Sequence, residues 1–316
     1  VFGLTELQEA AGVIRTHLTP SPQINWPLLA ERTGAEVWVK HENHLPTGAF
    51  KVRGGLVLAD RLRRESADTR GLVSATRGNH GQSIAFAGRR HGFEVSIVVP
   101  HGNSAEKNAA MVALGATLVE HGMDFEAARE EAHRRAEAEG LLFVPSFAPD
   151  LVKGVATYAL ELFQAVADLD AVYVPIGLGS GICGTIMARD LLRLSTRIIG
   201  VQSSGADCYA RSFEAGRAIV GNRADTLADG IAVRQPDDDA LRIILAGAER
   251  IVTVPDHEIA AAIRAYWTDT HNLIEGAGAA PLAALLQERA VMKGKRVALI
   301  ASGGNIDLAL FRSWVG

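Results

Sequence analysis

Cysteine is nearly absent: Cys183 and Cys208 are the two in 316 residues. That is too few for a disulfide framework or a cysteine-rich metal site, and a reducing compartment is the expectation. Long apolar runs are missing as well. No stretch of about 18 uncharged apolar residues occurs, so no membrane span is predicted. The first residues, VFGLTELQEA, have neither the basic region nor the apolar core of a secretory signal, which points to a cytoplasmic protein. An excess of one charge is also lacking. The net charge of −4 provides no basic stripe for nucleic acid and no basic face for a membrane, so neither is an expected partner. What remains, 22% charged and 48% hydrophobic residues, is the composition of a soluble globular protein long enough for two domains.

Short β-branched apolar runs recur along the chain: AEVWVKHE, GLVSA, EVSIVVP, ATLVEHG, LLFVP, AVYVPIG, RIIGVQS, ERIVTV and RVALIAS. Between them lie longer segments with helical spacing, such as DFEAAREEAHRRAEAEG and LVKGVATYALELFQAVADL. The alternation predicts an α/β fold of parallel sheets with helices on both faces, in which ligands bind beyond the carboxyl ends of strands. The informative residues should therefore lie in loops that follow strands.

Three such loops stand out. In SATRGNHGQS, Gly78 permits close backbone approach, and Asn79 and His80 fall where a helix begins and its free N–H groups suit an anion. A plain capped turn with Asn79 as the cap is the alternative. In VPIGLGSGICGT, Gly177, Gly179 and Gly181 leave main-chain N–H groups uncovered ahead of a helix, which suits a phosphate. The same residues satisfy G-x-G-x-x-G from Gly179 to Gly184, so a nicotinamide-dependent oxidoreductase is a rival reading. That motif wants an acid at the end of the next strand; RIIGVQS offers Gln202, and Asp207 comes later. In IASGGNID, Ser302 at a strand's end could hydrogen-bond a ring nitrogen without protonating it, or simply cap a helix.

A fourth stretch, HLPTGAFKVRGG, places Lys51 directly after Phe50 among small residues. With it the chain resembles the pyridoxal-phosphate-dependent serine/threonine dehydratase and serine racemase family, of the tryptophan synthase β-subunit fold (fold type II). ENHLPTGAFKVRGG is similar to a TGSFKxRGA-like segment, RGNHGQ to SGNHxQ, GLGSG to the glycine-rich phosphate loop, and SGGNID matches nearly verbatim. The motifs run in the family's order from Glu42 to Asp307.

The resemblance implies pyridoxal 5'-phosphate as cofactor, with Lys51 as its Schiff-base partner and catalytic base. It also implies that Phe50 packs on the cofactor ring and that Asn79 bonds the ring hydroxyl. Gly177, Leu178, Gly179, Ser180 and Gly181 would wrap the phosphate, and Ser302 would meet the pyridine nitrogen. The substrate carboxylate would go to Thr76, Gly78, Asn79 and His80. The implied reaction removes the Cα proton and a β-hydroxyl from L-threonine or L-serine, or from threo-3-hydroxyaspartate or phenylserine, to release a 2-oxo acid and ammonia. An amino-acid racemase is the alternative within the fold.

Two places depart from the family pattern. Arg77 stands where the racemase branch resembles serine, which puts racemisation in doubt; it could instead grip a substrate carboxylate or turn outward. Gln202 stands where some members place an acidic metal ligand, so no metal is expected. Arg53 reads as a brace, Glu275 as a helix-start carboxylate or a neighbour of the cofactor ring, and Asp229-Gly230 as a turn or part of the site's mouth. His271 lacks metal-ligand spacing.

The expected architecture is a large phosphate-binding domain from residues 1–44 and 141–316, with a small domain at 45–140 that carries Lys51 and the substrate loop. The cofactor is expected in the cleft. Ending at Gly316, the sequence reads as a short, catabolic-type enzyme, and the family implies a homodimer.

Overall fold

Every apolar run named above forms a strand, and the strands sort into two sheets. The structure is a computed structural model, and it describes residues 2–66 and 68–316. The chain opens with α1 (Leu4–Arg15), β1 (Gln23–Asn25), α2 (Pro27–Thr33), β2 (Glu36–His41) and α3 (Lys51–Glu65). It continues through β3 (Gly71–Ala75), α4 (Asn79–Arg90), β4 (Glu94–Val99), α5 (Ala105–Ala113), β5 (Thr117–Glu120), α6 (Phe125–Glu139), β6 (Leu142–Phe143) and α7 (Pro149–Ala165). Then come β7 (Ala171–Pro175), α8 (Ser180–Leu191), β8 (Arg197–Ser203), α9 (Cys208–Ala215), α10 (Asp238–Gly247), β9 (Arg250–Val254) and α11 (Asp256–Thr270). The last elements are α12 (Gly276–Gln287), α13 (Arg289–Met292), β10 (Arg296–Ala301) and α14 (Leu308–Val315).

Contacts divide the chain into two compact units: Val1–Leu18 with Leu45–Val155, and Thr19–His44 with Ala156–Gly316. The first holds a four-stranded parallel sheet in the order β5-β4-β3-β6. Its central strand β3 is buried at every residue, as expected for a strand covered on both faces. The second holds a six-stranded sheet in the order β1-β2-β10-β7-β8-β9, parallel except for β1. β7 is likewise buried throughout. β1 escapes sequence reading because three residues, Gln-Ile-Asn, carry no period; its antiparallel pairing with β2 is what makes it a strand.

The units differ from the expected segments at two places. α1 belongs with the lysine-bearing unit because Ala10 and Ile14 bury in the same cluster as Val52 and Leu56 of α3. Residues 141–155 belong there too, since β6 adds a parallel strand to β3, with Leu72 level with Leu142, and the start of α7 crosses α3. The division falls inside α7.

Helix boundaries follow local chemistry. Asp124 caps α6 by accepting the Ala127 N–H at 2.9 Å, and Gly140 ends it at φ +65°. In the second unit a cluster from β2, β7, β8, β10, α11 and α12 forms the core, and α12 is buried from Gly276 to Leu285.

Candidate active site

Lys51 is the first residue of α3 and Phe50 its cap. The turn before it is set by Gly48, at φ +66°, whose N–H bonds Leu45 at 2.7 Å. The residue is partly exposed, yet its amine is desolvated enough to bring its pKa down to about 8. The amine stands 5.0 Å from the centroid of the Phe50 ring. Its main-chain carbonyl accepts the Ser83 hydroxyl at 2.6 Å, which ties α3 to the first turns of α4.

The glycines after Lys51 have a packing reason. A Cβ on Gly54 would stand 2.8 Å from the Leu151 carbonyl oxygen, and one on Gly55 would stand 2.9 Å from that of Ser83. Across the crossing, a Cβ on Gly154 of α7 would lie 2.7 Å from Gly54 Cα. α3 is thus clasped between α4 and α7 at backbone distance, which holds the lysine's helix start in place. Arg53, between them, is fully buried, in keeping with a bracing role.

The second loop of this unit leaves the carboxyl end of β3. Strand order runs from β3 through β4 to β5 on one side and places β6 on the other, so the loop sits where the order reverses. Thr76 is buried and its hydroxyl accepts the Gly78 N–H at 3.0 Å. Asn79 begins α4, so the N–H groups of the loop and first turn are gathered at a helix start. Gly81 lets α4 close on the sheet, since a Cβ there would lie 2.5 Å from Thr76 Cγ2 and collide with Met111 Sδ. The His80 side chain turns inward: Nε2 is 3.1 Å from the Ser74 hydroxyl, which itself donates to Val144 O at 2.7 Å. Burial, with the nearby Lys51 charge, pushes the His80 pKa down to about 3, so the ring is neutral. What His80 can offer a ligand is its main-chain N–H. Arg77 is exposed and, among the described residues, makes no hydrogen bond or ion pair. Gln82, in the first turns of α4, is buried with Nε2 unbonded.

In the second unit the loop after β7 leads into α8. Gly179, at φ +102°, takes the left-handed turn that lets the helix start there. A Cβ on Gly179 would lie 2.7 Å from the Ala240 Cβ, and one on Gly177 would collide with the Gly230 carbonyl. The Tyr209 hydroxyl donates to Leu178 O at 3.0 Å and accepts the Asp237 N–H at 2.9 Å. Because a trans peptide points its C=O and N–H in opposite directions, pinning Leu178 O fixes the Gly179 N–H on the other side. The Tyr158 hydroxyl holds the Gly181 carbonyl at 2.8 Å. Ser180 and Gly181 are buried in the first turn of this 12-residue helix. The last glycine of the motif, Gly184, packs α8 on α7: a Cβ would stand 2.9 Å from Ala156 N.

Ser302, at the end of β10, is buried. β10 is the parallel neighbour of β7, and Leu299 pairs with Tyr173, so Ser302 emerges beside the start of the glycine loop. The next carbonyl, Gly303 O, accepts the Glu275 N–H at 3.0 Å, and a Cβ on Gly278 would lie 3.2 Å from Ser302 N. Glu275 is the buried cap of α12. Asp229-Gly230 opens a 3-10 turn, Asp229–Ile231, with Gly230 packed between Gly177 and Ala277.

Gln202 spends its amide on α9, accepting the Ala210 N–H at 2.9 Å. This leaves no acid to grip a ribose at the end of β8. Among the described residues no group of three or more His, Cys, Asp or Glu could hold a metal, and His271 ends α11 at φ +54°. Tyr209 and Tyr158 carry no sequence signal, because each is remote from the loop it supports and acts through one hydroxyl.

The profile of a family described as pyridoxal-phosphate dependent enzyme matches residues 14–303. An L-threonine ammonia-lyase of Thermotoga maritima is 35% identical over 306 residues, covering 96% of this chain and 76% of that protein. The L-threo-3-hydroxyaspartate ammonia-lyase of Saccharomyces cerevisiae is 29% identical over 98% of this chain and 95% of its own. The structure of maize serine racemase superposes with a TM-score of 0.93 at 27% identity, covering 98% of this chain and 96% of that one.

Proposed function

The chain belongs to the pyridoxal-phosphate dependent enzymes, and on that premise we propose that it is a dehydratase, an ammonia-lyase acting on a β-hydroxy-α-amino acid. L-Threonine and L-serine are the first candidates, and the products are a 2-oxo acid and ammonia. Its cofactor is pyridoxal 5'-phosphate. The nicotinamide reading falls with the family assignment.

The residues of each unit suit that cofactor. In the first, Lys51 offers a desolvated amine at a helix start. In the second, the glycine turn leads into the first turn of α8, whose main-chain N–H groups suit an anion, and side chains on Gly177 or Gly179 would distort that turn by colliding with Gly230 and Ala240. When bound, pyridoxal phosphate supplies a conjugated electron sink for the substrate's Cα, so that a Cα–H bond can break and a β-substituent leave.

Lys51 would anchor the cofactor through its amine and, once the substrate's amine has taken that place, its freed and unprotonated amine would act as general base toward the Cα proton. Gly177, Leu178, Gly179, Ser180 and Gly181 would hold the phosphate through main-chain N–H groups. Ser302 would offer the ring nitrogen a neutral hydroxyl that cannot surrender a full proton, Asn79 would bond the ring hydroxyl, and Phe50 would pack on the ring. Thr76, Gly78, Asn79 and His80 take the substrate carboxylate. A neutral Ser302 hydroxyl would leave the bound ring a weaker electron sink than a carboxylate partner would, which suits elimination better than racemisation. The racemase alternative is further weakened by Arg77, whose guanidinium does not exchange a proton near neutral pH.

The observation that carries this reading is the desolvated amine of Lys51 at the start of α3. Purified protein with pyridoxal phosphate should form 2-oxobutanoate from threonine. Absence of any 2-oxo acid from serine, threonine, 3-hydroxyaspartate and phenylserine alike would sink the proposal. The exposed Arg77, which makes no hydrogen bond among the described residues, favours threo-3-hydroxyaspartate as a second substrate.

A further inference from the structure

Lys107 lies in the first turn of α5, where its N–H is accepted by the capping Ser104 hydroxyl at 3.1 Å. A lysine so near a helix start is expected to swing into solvent, because the dipole repels its charge and water solvates it. Lys107 instead is 7% exposed. Its side chain runs across Gly78: a Cβ built there would stand 3.1 Å from Cδ and 3.6 Å from Nζ. The ammonium therefore lies against the backbone of the loop that ends β3, in the same unit as Thr76, Asn79 and His80. Any side chain at position 78 would push it away.

We infer that Lys107 is a positioning residue for the substrate, supplying the fixed positive charge that makes the Thr76–His80 loop select a ligand with an α-carboxylate. The inference rests on the proposed role of that loop. Main-chain N–H groups contribute partial charges, and His80 remains neutral. Lys107 puts a full charge beside them, in surroundings that water screens poorly. Packing of α5 through Met111, which meets Gly81, keeps the lysine's helix on the same loop.

The test compares L-alanine with L-alaninamide on the cofactor-loaded protein. Both have the amine and neither has a leaving group, so binding is read from the change in the cofactor's absorption band. Native protein should bind alanine more tightly than alaninamide. In Lys107→Met the alanine Kd should rise roughly tenfold, as for loss of one poorly screened charge, with the alaninamide Kd unchanged; Lys107→Arg should keep the discrimination. Equal weakening of both ligands in Lys107→Met, unchanged discrimination there, or its loss in Lys107→Arg overturns the inference. Equal binding of the two ligands by native protein overturns the carboxylate loop itself. Failure to turn over threonine, with discrimination intact, strikes only the dehydratase reading.

Discussion

Ser302 and Gly177 leave neighbouring parallel strands at the same edge of the second unit's sheet, because Leu299 on β10 pairs in register with Tyr173 on β7. Here the strand order turns, with β8 and β9 on one side and β2 on the other. A neutral hydroxyl and a glycine cradle, 125 positions apart in sequence, are brought together by sheet register.

The cradle depends on a tyrosine. Tyr209→Phe leaves Leu178 O and the Asp237 N–H without their shared partner, at a cost of about 1–3 kcal/mol. Pyridoxal-phosphate affinity should fall roughly tenfold, measured by titrating apoprotein and following fluorescence. Unchanged affinity would remove Tyr209 from any part in shaping the loop.

Cofactor capture should depend on pH through Lys51. Protonated amine cannot attack an aldehyde, and burial places the folded pKa at about 8. Below that value the capture rate should drop about tenfold per pH unit and above it level off, a profile that stopped-flow absorbance from pH 6 to 10 would trace. In Lys51→Ala, borohydride should no longer leave cofactor attached to the protein.

Acid should destabilise the fold through two buried histidines. Burial lowers His80 to about 3, and burial, with the neighbouring His44 next in weight, lowers His41 to about 4. In His41, Nε2 accepts the Trp26 indole N–H at 2.9 Å. Both folded values lie below the unfolded one, so the stability they contribute is complete above pH 6.5 and is lost as pH falls toward 4 and then 3. Each should take away roughly 2–3 kcal/mol by pH 4.5. Melting curves at stepped pH would show the decline, and neither ring should titrate by NMR between pH 5 and 8.

The crossing beneath Lys51 tolerates no side chain. Gly154→Ala places a methyl against the α3 backbone at Arg53 and Gly54. Its gain in helix propensity, up to about 1 kcal/mol, is smaller than the overpacking penalty, and a net loss of about 1–3 kcal/mol is expected in urea unfolding. A melting temperature at or above that of native protein would contradict the close approach.

Arg77→Ala should lower kcat/KM for threo-3-hydroxyaspartate at least tenfold relative to threonine, as for a lost forked contact of roughly 1.5–3 kcal/mol. An unchanged ratio would take Arg77 out of substrate choice.

Much of this was legible in the sequence. β-Branched runs marked strands because a parallel strand buried on both faces must be apolar throughout, as GLVSA and AVYVP are. The glycine loop and SGGN were legible because helix starts and strand ends use few residue types. Gly54 and Gly55 read as part of a lysine loop but turned out to be helix contacts, since a glycine that admits a neighbouring helix looks the same in sequence as one that permits a turn.

By itself the sequence determined the α/β class and the family, because these rest on local pattern and residue chemistry. Tertiary structure decided that α1 and residues 141–155 go with the lysine's unit, that His80 faces Ser74, that Tyr209 holds the Leu178 carbonyl and that Lys107 lies against Gly78. Each of these is a contact between segments distant in the chain or turned by burial. Such contacts are set by which surfaces pack together, and no local pattern encodes them.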